Sequence, residues 1–295
     1  MFVLPGQQIG DAWCYTEGDV VRIWFLAKPD GAELGWQIGH ASTRNLVDWE
    51  YDGLALKLGP PGSWDDRNLA TGSVIRRSGR YWMADTRHKK DDALFVQRVG
   101  LAVSDDLQHW EKLPANPPAL ADPTYYETVS TGQRRLTHWR DPFLFDAGEE
   151  VIQYVCARSV KGAETSRGTV GLARSTDMVS WEGLPRPEHD RMMEEMEVPQ
   201  LYEIDSRYYL VFCTHDHWLD PAFVSRFPGH TFRSTDYSMA GDSPLGPFHM
   251  HGTGQIMPQD PGHWFYTSQL VQLAGTWFLL GTFRTDAGSG ITNPL

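Results

Sequence analysis

GHASTRNLVDWE at Gly39–Glu50, GLAVSDDLQHWE at Gly100–Glu111 and GLARSTDMVSWE at Gly171–Glu182 share one pattern, Gly-x-Ala-x-(Ser/Thr)-x-(Asp/Asn)-(Leu/Met)-x-x-Trp-Glu. A looser copy, YSMAGDSPLGPF at Tyr237–Phe248, has Phe248 where the others have Trp. A repeat spaced by about 60 to 70 residues is longer than a solenoid unit and suits a four-stranded propeller blade.

The elements around the signature recur in the same order. Ahead of it stand the apolar or alternating runs VVRIWFLA (Val20–Ala27), RYWMADT (Arg80–Thr86), EVIQYVCA (Glu150–Ala157) and YYLVFC (Tyr208–Cys213), and a fifth such run, TWFLLGTF (Thr276–Phe283), has no signature after it. Before each comes one more short run: DAWCY from Asp11, GSVIR from Gly72, DPFLF from Asp141, EVPQLY from Glu197 and SQLVQL from Ser268. These periods of two, punctuated by Gly, Pro and Asp, predict strands, and helical periodicity is nearly absent. The chain therefore reads as an all-β, five-bladed β-propeller of four-stranded antiparallel blades. It forms a single domain over 1–295, with approximate blades at 9–66, 67–136, 137–194, 195–262 and 263–295. Blade five is short and expected to borrow from residues 1–8 or from a neighbouring subunit. No C-terminal β-sandwich is expected.

Composition narrows the partners. The 38 acidic and 26 basic side chains give a formal charge of −12, which disfavours nucleic acid and anionic membranes and favours a small neutral ligand. Cys14, Cys156 and Cys213 are odd in number, far apart and each within an apolar run, as small core residues in a reducing compartment would be. The N-terminus lacks the basic n-region and long apolar segment of a signal peptide, and no run is long enough to span a bilayer. The expectation is a cytoplasmic protein without cofactor or metal, whose oligomeric state the sequence leaves open.

Asp11, Asp141 and Glu197 open the first strand of repeats one, three and four, and read as occupying one common position. The quasi-symmetry of a propeller would then gather them at one end of the axis. Thr71 or Ser73, and Tyr266 or Ser268, fall at the corresponding places of repeats two and five. Carboxylates sharing a partly desolvated cleft separate into acid and base. Surface turns explain the same residues one at a time, but not their shared register. Asn45, Asp105, Asp106 and Asp177 lie inside the repeated turn and read as caps of the backbone, and Trp49, Trp110 and Trp181 as packing.

The ensemble resembles the five-bladed propeller glycoside hydrolases, specifically the fructofuranosidase and levansucrase clan of family 32 type. The arabinofuranosidase and xylosidase clan is a near relative. The likeness rests on Arg140-Asp141-Pro142 in HWRDP, on Glu197 in EMEVPQL, on Asp11 in IGDAW, on GHASTRNLVDWE and on Thr71–Ser73. The invertase nucleophile motif is here Gly-Asp-Ala-Trp, the Glu-Cys-Pro motif is Glu-Val-Pro, and Leu26 stands where a sugar-binding Gln is usual. The resemblance implies Asp11 as nucleophile, Glu197 as acid/base and Asp141 as the group that holds ring hydroxyls and stabilises the transition state. Glu194 and Glu195 compete with Glu197, which alone opens the strand.

On this reading Glu197 stays protonated near neutrality and Asp141 stays ionised beside Arg140. Substrate contacts are expected from Arg140, Thr71, Ser73 and Tyr266, from Trp13, Trp36 and Trp139 stacking on the sugar, and from His215 and His217, which would alternate on one strand face. A divalent ion at His215, Asp216 and His217, or an axial ion at His263, is the lesser alternative. The implied activity is a retaining glycoside hydrolase for a small furanoside, first a β-fructofuranoside. An inverting arabinofuranosidase- or xylosidase-like hydrolase, a transglycosylase and a non-catalytic sugar-binding propeller remain open.

Overall fold

The structure, a computed structural model, describes all residues except 34, 93–94, 115–116, 131–135, 258–264 and 286–287. Blade one is β1 (Gln7–Glu17), β2 (Val20–Pro29), β3 (Gln37–Thr43) and β4 (Glu50–Leu56). Blade two takes β5 (Asn68–Arg77), β6 (Arg80–His88), β8 (Arg98–Ser104) and β9 (Glu111–Lys112); the short β7 (Phe95–Val96) pairs in parallel with β10 (Leu136–Thr137). Blade three is β11 (Arg140–Asp146), β12 (Val151–Arg158), β13 (Gly168–Ser175) and β14 (Glu182–Leu184). Blade four is β15 (Glu197–Ile204), β16 (Arg207–Thr214), β17 (Thr235–Gly241) and β18 (His249–Gln255). Blade five has β19 (Tyr266–Leu273), β20 (Thr276–Thr285) and β21 (Gly288–Ile291), and each blade is an antiparallel meander in chain order.

The N-terminal segment completes the ring. Phe2 and Ile291 exchange two backbone hydrogen bonds of 3.0 Å, which sets residue 2 against the outer strand of blade five. Phe2 is buried in the cluster that joins blades five and one, with Ile9, Val21, Phe25, Val271 and Leu280. Comparable apolar clusters join blades one to two, two to three and three to four. Among the described residues no such cluster joins blades four and five. Their seam is held by hydrogen bonds instead: Gln200 Nε2 to the Ser268 carbonyl at 2.9 Å, the Leu270 N–H to Tyr202 Oη at 3.2 Å, and Ser268 Oγ to Asp236 at 2.6 Å.

The repeated signature is a packing and capping device. Its first residue must be glycine for space: a Cβ would lie 2.6 Å from the Phe25 ring at Gly39, 2.2 Å from the Arg87 guanidinium at Gly100 and 2.5 Å from the Trp139 ring at Gly171. Within the turn, Thr43, Ser104 and Ser175 accept from the N–H groups of Leu46, Leu107 and Met178, residues in the left-handed region at φ 62°, 65° and 65°. Asn45, Asp106 and Asp177 accept from the N–H groups two and three residues on, the local capping that these short polar side chains favour. Asp105 stands outside this arrangement and pairs with Arg80 at 2.7 Å. Trp110 and Trp181 donate from Nε1 to the carbonyls of Leu107 and Met178, which tethers each ring to its own turn.

Candidate active site

The first strand of every blade breaks register at the same end of the propeller. The ladder is interrupted after Ile9, Ala70, Arg140, Glu197 and Tyr266, and resumes at Ala12, Gly72, Phe143, Gln200 and Gln269. Such bulges bend a strand and re-aim its side chains. The first bulged residue is left-handed in blades three, four and five, at Asp141 (φ 56°), Val198 (φ 47°) and Thr267 (φ 55°), a conformation that is costly for β-branched side chains.

This register corrects the expectation of one common position. Glu197 is the last paired residue before its bulge, Asp141 the first bulged residue and Asp11 the second, so the three carboxylates take successive places along the same motif. They nevertheless converge. Asp141 accepts from the Val198 N–H at 3.2 Å, Arg140 lies 3.3 Å from Asp141 and 2.9 Å from Glu197, and the charges of Glu197 and Asp11 both act on Asp141. Thr71, in the bulge of blade two, donates to Asp11 at 2.6 Å. Tyr266, at the edge of the blade-five bulge, donates its hydroxyl to Glu197.

Electrostatics revise a second expectation. Burial pushes the Asp141 carboxyl up to about 7, with Glu197 and Asp11 adding to it, against the opposing pull of Arg140 and the Val198 N–H. The desolvation of a carboxyl group that is only 6% exposed outweighs its neighbouring guanidinium, so Asp141 is not held firmly ionised.

Several candidates fall elsewhere. Trp13 and Trp139 are each 1% exposed, within the clusters joining blades one to two and two to three, so neither ring is available to stack on a sugar. Trp13 packs from β1 against blade two, and Trp139, just ahead of β11, packs from blade three against blade two. Ser73 is also buried and accepts the Leu144 N–H at 2.9 Å, which ties blade two to blade three. Trp36 is half-buried beside β3, with the Lys28 ammonium 4.7 Å above its ring. His215 and His217 do not share a strand face: β16 ends at Thr214, and Asp216–Trp218 form a 3-10 turn. His215 stacks on Tyr266 with ring centroids 5.0 Å apart, and His217 stacks behind it at 5.2 Å, exposed. His263 lies outside the described residues.

The structure adds groups to the site. Glu195, 4% exposed, accepts from Arg140 at 2.6 Å, and Arg140 also meets Gln97 at 3.1 Å and His138 at 2.8 Å. The sequence offers Glu195 only as a competitor of Glu197, whereas the structure gives both to the same nitrogen of Arg140. Asp236, 3% exposed on β17, is a further carboxylate, pushed up to about 6 by burial. It pairs across the sheet with Cys213, where the corresponding residues of blades two and three are Val99 and Val170. Gln37 and Ile291 hold that place in blades one and five, so an acidic side chain there is particular to blade four. His138, Cys156 and Glu195 bring possible metal-ligand atoms within 4.8 Å of one another, but Arg140 bonds to both His138 and Glu195 and supplies the positive charge there.

A ring of five sheets whose first strands offer carboxylates from separate blades to one mouth is the frame of the propeller glycosidases. The chain belongs to the glycosyl hydrolases family 32 N-terminal domain family, whose model matches residues 14–281. That match begins just after Asp11, so the placement of Asp11 rests on the geometry above. Among solved structures the chain is similar to Bacillus subtilis levansucrase, at 13% identity and TM-score 0.73 over 97% of this chain and 83% of that one. It is similar to the sucrose-6-phosphate hydrolase of Lactobacillus gasseri, at 18% and 0.75 over 97% and 58%. It is likewise similar to a β-fructofuranosidase of Bombyx mori, at 19% and 0.70 over 96% and 58%. At these identities the likeness is one of fold, and the chain spans 58% of the length of the latter two. No curated protein matched the sequence.

Proposed function

We propose that the protein is a retaining glycoside hydrolase for a small furanoside, with a β-fructofuranoside as the first substrate. The observation that carries the reading is the convergence of Asp11, Asp141 and Glu197, from blades one, three and four, around Arg140. Glycosidic cleavage needs a proton for the leaving oxygen and a carboxylate on the opposite face of the sugar. Glu197, 18% exposed and bonded by Tyr266, serves as acid/base. Asp11, bonded by Thr71, serves as nucleophile. Asp141 takes ring hydroxyls and is charged most readily when Arg140 is close. The family 32 membership and the levansucrase and fructofuranosidase neighbours support the fructoside.

Proton and carbon NMR of the first-formed sugar from sucrose tests the reading. Release of the β-anomer of fructofuranose supports retention, release of the α-anomer assigns an inverting enzyme with Asp11 as base, and a fructosylated acceptor at high acceptor concentration assigns a transglycosylase. Binding without turnover of sucrose or aryl furanosides overturns the enzyme in favour of a sugar-binding propeller.

A further inference from the structure

The row of β-sheet that carries Glu197 carries a second carboxylate. Glu197 pairs with Cys213 on β16, and Cys213 pairs with Asp236 on β17. Residues directly opposite each other in an antiparallel sheet point to the same face, so Glu197 and Asp236 face one way from the first and third strands of blade four, about 9.5 Å apart along the row.

That face meets the bulge of blade five, and the two carboxylates take its two ends. Glu197 accepts the hydroxyl of Tyr266. Asp236 accepts Ser268 Oγ at 2.6 Å and the Ser268 N–H at 3.2 Å, with the Thr267 N–H as a further donor. Between these ends Thr267 is β-branched yet left-handed, at φ 55°. A conformation of that kind persists only where surrounding bonds hold it. Here the bonds are those of Asp236, the 2.8 Å contact of Thr267 Oγ1 with Thr282 Oγ1, and the 2.9 Å bond from Thr282 Oγ1 to the Tyr266 carbonyl. Because no apolar cluster among the described residues joins blades four and five, the bonds of Asp236, together with those of Glu197, Gln200 and Tyr202, fasten the seam.

We infer that Asp236 is a positioning residue for the acid/base: by gripping Ser268 and Thr267 it sets the blade-five bulge so that the Tyr266 hydroxyl meets Glu197. The inference rests on Glu197 being the acid/base. Replacing Asp236 leaves the three catalytic carboxylates in place but lets the bulge relax, and the proton that Glu197 gives to the leaving oxygen is then misplaced.

The test is the leaving-group dependence of Asp236→Ala, with Asp236→Asn as the variant that keeps one acceptor oxygen. Sucrose needs its leaving group protonated, whereas p-nitrophenyl β-fructofuranoside carries an activated one. Asp236→Ala is expected to lose ~10- to 100-fold in kcat on sucrose and less than ~3-fold on the aryl substrate, with Asp236→Asn between it and the wild type. In a Tyr266→Phe background the Asp236→Ala loss on sucrose should largely vanish, because both changes remove one linked device. Equal losses on the two substrates, no loss on either, or additive losses overturn the inference. A crystal structure of Asp236→Ala decides independently of turnover. Departure of the Tyr266 hydroxyl from Glu197 supports the inference, and an unmoved Tyr266 refutes it. A wild type inactive on both substrates removes the hydrolase reading instead, and leaves that structure to decide the positioning role.

Discussion

One guanidinium nitrogen of Arg140, Nη2, serves Glu195 and Glu197 together, at 2.6 and 2.9 Å. With Asp141 at 3.3 Å from Nε, a single buried cation balances three buried or nearly buried carboxyl groups. Removing it leaves them uncompensated in a desolvated site. Arg140→Met should therefore cost about 3–5 kcal/mol of stability by urea unfolding. A loss below about 1 kcal/mol would show that the carboxyl groups are adequately compensated without it.

Asp141 and Asp236 give stability a pH dependence of defined sign. Burial raises them to about 7 and about 6, above the ordinary Asp value, so the folded state holds protons that the unfolded chain has released. Where the folded state binds more protons, stability falls as pH rises, here between pH ~4 and pH ~7. Asp141→Asn cannot take part. The drop in unfolding free energy from pH 5 to pH 8 should be smaller in this variant than in the wild type by roughly 1–3 kcal/mol. Parallel curves for the two proteins would exclude Asp141 as a source of the slope.

Glu197→Gln keeps the shape of the side chain and removes its titration. Turnover of sucrose should fall by at least ~10³-fold while sugar binding, followed by calorimetry, stays within a few fold of the wild type. Retained turnover with a natural leaving group would move the acid role to another residue, Glu195 being the nearest alternative on the same run.

Gly171→Ala tests the reason for the repeated glycine. The new methyl group would sit 2.5 Å from the Trp139 ring and 2.8 Å from a Val155 methyl, in a fully packed blade interface. Overpacking of this kind costs about 1–3 kcal/mol, read as a lowered denaturation midpoint. A neutral result would mean that the signature glycine is not set by packing.

Phe2 tests how the ring closes. Its side chain is 7% exposed between blades five and one, and its backbone exchanges two bonds with Ile291. Phe2→Ala should lower stability by about 3 kcal/mol, and hydrogen exchange should show Ile291 and its neighbours losing protection first. Unchanged protection at Ile291 would place the closure elsewhere.

The blades are legible because all five repeat the pair of strands and the first three add the same capped turn. The capping pattern of Thr43, Asn45 and Leu46 recurs at Ser104, Asp106 and Leu107 because local bonds alone stabilise it. The offset of Asp11, Asp141 and Glu197 along the bulge was not legible, since a break in pairing register depends on the partner strand and leaves no mark in the run itself. Trp13 and Trp139 were misjudged for a related reason. Whether an aromatic ring lines a cavity or fills an interface depends on which neighbouring blade it meets.

Local signals in the chain suffice for the five-bladed frame, for the first two strands of each blade to within a few residues, and for three carboxylates near the start of three blades, because periodicity and turn chemistry are local properties. Which groups share the mouth with them is settled by the packing of the blades. It brought Arg140 between Glu195 and Glu197, buried Asp141 deeply enough to raise its proton affinity, and set Asp236 against Ser268 across a seam with little apolar packing. These contacts join residues tens of positions apart, and their energies come from desolvation and hydrogen bonding that exist only once the blades have closed into a ring.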